Sequence, residues 1–106
     1  MDTVVSKQIN RLQQLYATGF QNPFLDTAVD KIIRYQVNQD KADLQRIQKA
    51  MARFEKQYGM DSSQFWTQYQ AGQLADTDDF MEWNALCKMQ RRIQQRLDIL
   101  RGEKVR

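Results

Sequence analysis

The chain has 106 residues, enough for one small domain, with four glycines, one proline and no histidine. A net charge of +3 is too small to argue for nucleic acid by itself, and one cysteine excludes an intrachain disulfide. No apolar run reaches the roughly 18 residues that span a membrane, and residues 1–7 lack a signal-peptide core, so a cytoplasmic protein is expected.

Gln, Glu, Lys, Arg, Leu, Ala and Met dominate, and no β-branched run alternates with period two, so the fold class is all-α. The spacing predicts a first helix over about 4–18. Val5, Ile9, Leu12 and Tyr16 line one face, Leu15 widens it, and Gly19 suits the left-handed residue after a helix. Ser6 can cap a shorter version. Asn22-Pro23 is a start signal: Asn22 caps, and Pro23 lacks an N–H that would be unpaired at the first helical position.

From there to Gly59 the chain has no Gly or Pro after Pro23, which predicts a long central helix over about 23–58. Its first half carries a wide apolar face of Phe24, Leu25, Ala28, Val29, Ile32 and Ile33. After that a narrow seam runs through Ile33, Val37, Asp40, Leu44, Ile47, Met51, Phe54 and Tyr58, alternating steps of four and three as in a coiled coil. Asp40 violates the seam. Either the helix breaks near Asn38-Gln39-Asp40 and Asp40 caps a new one, or one helix carries a polar seam residue. The unbroken phase favours continuity.

Asp61 and Gln64 form a capping-box signature, with Met60 and Phe65 at the hydrophobic-staple positions. A short helix over about 62–71 follows, an aromatic plug bearing Phe65, Trp66 and Tyr69. Asp76, Thr77, Asp78 and Asp79 supply a cap and dipole-matched charge for a last helix over about 78–100. Its seam is Trp83, Leu86, Gln90, Ile93, Leu97 and Leu100. Glu103 to Arg106 are expected to fray. The first helix is expected to fold back on the first half of the long one, and the last to run antiparallel along the second half. Two helices leave one side of the long helix thinly covered, so a homodimer is favoured.

The charge is unevenly placed. Residues 59–87 carry −5 with no base, and residues 88–106 carry +5. Arg91, Arg92 and Arg96, and the acids Asp76, Asp78 and Asp79, are therefore the candidate partner-binding residues. The basic run with Lys88 and Arg101 also admits nucleic acid. No metal site is expected: the acidic cluster lacks the glycine and late bidentate Glu of a calcium loop. Cys87 reads as a buried small hydrophobe. No base, nucleophile or metal set converges, so no enzyme activity and no cofactor are expected.

Three stretches carry a resemblance. They are Asp30-Lys31-Ile32-Ile33-Arg34-Tyr35, then Phe54 to Phe65, and finally Gln70-Ala71-Gly72-Gln73-Leu74 with Asp76 and Asp79-Phe80-Met81-Glu82-Trp83. Together they resemble a family of short helical proteins common in cyanobacteria, other bacteria and archaea, often encoded beside TumE-type toxins. The chain departs from the family's pattern at Gln73, where an acid is usual, and at Ala75, where Gly is usual. The resemblance implies a long helix with a helical C-terminal unit, and an antitoxin-like role. The expectation is a single helical domain that binds a protein partner, a toxin, and self-associates. A nucleic-acid binder and a purely structural coiled-coil scaffold are the alternatives.

Overall fold

The computed structural model describes residues 3–102, and among these there are four helices and no strand. They are α1 (Val4–Ala17), α2 (Pro23–Tyr58), α3 (Ser62–Gln70) and α4 (Asp78–Leu100). Fraying of residues 103–106 falls outside the described residues. The chain divides into two compact units, Met1–Ile33 and Arg34–Arg106.

Local chemistry sets the helix ends. Thr3, not Ser6, caps α1: its hydroxyl accepts the Ser6 amide at 3.1 Å. Asn22 Oδ1 accepts the amides of Phe24 and Leu25 at 2.9 and 3.2 Å, satisfying two donors that the first turn of α2 leaves unpaired. Gly59 ends α2 at φ +62°, which turns the chain so that the Met60 amide reaches the Glu55 carbonyl at 3.3 Å. Asp61 caps α3 through the Gln64 amide at 2.7 Å, while Glu55 takes the Ser62 amide at 2.7 Å. Thr77 is the cap of α4, with Asp78 and Asp79 in its first turn.

The second unit holds the core. Ile47, Met51, Phe65, Trp83, Cys87, Ile93 and Leu97 are buried, with Val37, Leu44, Phe54, Met60, Trp66, Tyr69, Leu74, Phe80 and Leu86 packed around them. Ile47, Met51, Trp83, Ile93 and Leu97 of the predicted seams are buried in this core, and Val37, Leu44, Phe54 and Leu86 only partly. Tyr58, expected in the seam, is 37% exposed because it sits at the end of α2. α4 runs antiparallel to α2. Facing residue numbers add to 136 or 137: Asp40 meets Arg96, Phe54 stacks on Trp83 at 5.6 Å, and the Tyr58 hydroxyl donates to Asp79. In this register Leu44 lies level with Ile93, and Met51 with Leu86.

Short α3 closes one end of this pair. Phe65 and Trp83 stack at 4.0 Å with planes 5° apart, and both are fully buried. Tyr69 also stacks on Phe65 at 5.3 Å, and Phe80 packs against it with a tilted ring at 5.4 Å. The indole N–H of Trp83 donates to the Ser62 hydroxyl at 3.0 Å, so burial leaves no polar atom of the ring unpaired. Burying each such ring stabilises the fold by about 1.5–3 kcal/mol.

α2 is one continuous helix through Asp40, as the unbroken seam phase favours. A helix break would have placed the Asp40 carboxylate at a cap. Instead it is fully buried and paired.

Candidate interaction surfaces

The first unit differs from the second in having a helix with no buried residue. At the α1–α2 turn the Tyr16 hydroxyl donates to Asp26 at 2.8 Å, and the Tyr16 and Phe20 rings meet edge to face at 6.3 Å. Exposure then rises along the predicted apolar face of α1, from Leu12 at 38% to Ile9 at 59% and Val5 at 61%. The expected apolar contact of α1 is therefore confined to the turn end of the helix. On the opening stretch of α2, Phe24 and Ile32 are also exposed, at 78% and 68%. Ile33, expected in the seam, is exposed as well, and it lines an open groove with Tyr16, Asp26, Val29 and Asp30.

The candidate bases on α4 are engaged to different degrees. Arg96 makes a two-pronged pair with Asp40: Nε donates to Oδ2 at 2.8 Å and the terminal nitrogen to Oδ1 at 2.7 Å. Gln36 Nε2 adds a third donor to that carboxylate at 2.9 Å. Arg91 lies over the Trp66 ring, 4.2 Å from its centre, a cation–π contact within α3 and α4. Arg92 is exposed. So the run predicted to face a partner splits into one residue tied to the core, one laid on an aromatic ring and one facing solvent.

The acids are not gathered into one site. Asp76 accepts the Tyr69 hydroxyl at 2.7 Å, and Asp79 accepts the Tyr58 hydroxyl and, at 3.4 Å, Gln57 Nε2. Asp78 is exposed in the first turn of α4. Among the described residues no three His, Cys, Asp or Glu side chains converge on a common point. The same residues include no helix long and apolar enough to cross a membrane.

Electrostatics follow these contacts. The Arg96 bonds hold the Asp40 carboxyl below the usual carboxylate range, against the opposing effect of burial, with Gln36 helping. Donation to an aspartate raises the hydroxyls of Tyr16, Tyr58 and Tyr69 above the ordinary tyrosine value. Burial pushes the Cys87 thiol up, with Arg91 pulling it down and Glu55 adding to the rise. A protonated, covered thiol is a poor nucleophile, which suits its place in the core.

Sequence reasoning did not find the Asp40–Arg96 pair. It singled out both residues, one as a flaw in a seam and one as a surface base. Joining them needs the register of two helices, which neither helix contains alone. The signal was an acid inside one seam and a base flanking the other. Comparison of the chain with protein-family models, with curated proteins and with solved structures finds no match.

Proposed function

We propose that this chain is a non-enzymatic helical interaction protein, antitoxin-like, which binds a protein partner, a toxin, and self-associates as a dimer. The observation that carries the reading is the uncovered apolar face of the first unit. Val4, Val5 and Ile9 are each more than half exposed, and no residue of α1 is buried. A helix of fourteen residues is marginal in water without tertiary burial, so α1 gains most from a surface that covers this stripe. Apolar residues grouped along one helix face mark binding surfaces more often than scattered ones do.

The likeness to the toxin-associated family gives the partner its class. Nucleic acid is the weaker reading, because Arg96 and Arg91 already have partners inside the chain.

Co-expression with the product of the neighbouring gene tests the proposal. The two proteins are expected to co-purify, and the chain is expected to rescue growth from that product's toxicity. Val5→Gln with Ile9→Gln should abolish the complex while leaving the melting of the α2–α4 core unchanged. No complex and no rescue would remove the antitoxin reading. A monomer mass by light scattering at micromolar concentration would remove self-association alone.

A further inference from the structure

We infer that the Asp40–Arg96 pair selects the register in which α4 packs on α2. Both seams repeat every seven residues, so apolar burial alone is nearly the same in registers one heptad apart. The observed register does not match polar with polar. Asp40 lies level with Leu97, and the one polar residue in the α4 seam, Gln90, lies level with Ile47.

Sliding α4 by one heptad, so that facing numbers add to 130, would set Asp40 level with Gln90. That looks like the better match. Yet the flanking position now held by Arg96 would then be held by Met89, and the carboxylate would lose both guanidinium bonds. A slide the other way carries Asp40 past Leu100, where α4 ends.

Of the registers that keep Asp40 alongside α4 (Asp78–Leu100), the observed one gives the carboxylate a cation. Asp40 is fully buried, and no buried polar side-chain atom among the described residues lacks a partner. A buried carboxylate stripped of its partner is strongly disfavoured, whereas replacing a whole buried pair by apolar side chains is often harmless. The pair therefore acts mainly against the wrong registers. Arg96 is a positioning residue, turned toward the core from a partly exposed site with half of its side-chain surface open to solvent. Gln36, one turn before Asp40, completes the cradle.

Spin labels at Lys56→Cys and Arg101→Cys read the register as a distance, since one heptad is a shift of about 10 Å. Buried Cys87 is left in place. The labelled parent is expected to give one distance. Asp40→Leu with Arg96→Met should stay helical and at least as stable, while a second distance, longer by about 10 Å, appears. The charge swap Asp40→Arg with Arg96→Asp should return a single distance. One parent-like distance in the Leu/Met variant would overturn the inference, because the aromatic contacts would then select the register unaided. Loss of helicity in that variant would overturn it too, since a selecting device is dispensable for packing.

Discussion

Removing the Trp83 indole is the sharpest perturbation of this fold. The ring is fully buried, stacks on Phe65 at 4.0 Å and Phe54 at 5.6 Å, meets Tyr58 at 6.0 Å and Phe80 at 6.2 Å, and donates to Ser62. It joins α2, α3 and α4 at one point. Trp83→Ala should cost about 3–5 kcal/mol, combining lost transfer energy with the cavity left behind. A domain of this size has only about 5–15 kcal/mol in total, so the variant should lose a large share of its stability. Trp83→Phe keeps the stack but loses the hydrogen bond and the second ring. It should cost about 1–2 kcal/mol, lowering the melting temperature by roughly 5–15 °C. Urea unfolding followed by circular dichroism measures both, and Trp66 remains as an independent fluorescence probe. In Ser62→Ala, the further cost of Trp83→Phe should shrink, because the hydrogen bond is already gone. A Trp83→Ala cost below about 1 kcal/mol would refute the view that this ring organises the core.

Two further outcomes follow from the electrostatics. Asp40 has its folded carboxyl depressed by Arg96, so its contribution to stability is fully present above the unfolded value near 3.9. It is lost as pH falls through the lower folded value. The urea midpoint should therefore drop below about pH 4, and Asp40→Asn should remove part of that slope. An unchanged slope would mean that other carboxylates carry the acid sensitivity. Cys87 should resist iodoacetamide at pH 8 in the native protein and react in urea, tracked by mass spectrometry. Rapid labelling without denaturant would show that the α3–α4 contact opens readily.

The helix boundaries were legible in the sequence because they rest on local chemistry. Asn22, Asp61 and Thr77 cap by bonding amides two or three residues away, and Gly59 takes a φ that side-chain-bearing residues avoid. The two seams were legible for a similar reason, since periodicity is a property of each helix alone. Tertiary structure decided what periodicity leaves degenerate. The wide apolar faces of α1 and early α2 predict burial but name no surface to supply it, and here much of their apolar surface lies exposed. Two heptad seams can mate in more than one register. The choice came from a contact far apart in sequence, a buried carboxylate that finds its cation 56 residues away. A residue that looked like a flaw in a seam became a register mark once the second helix stood beside it.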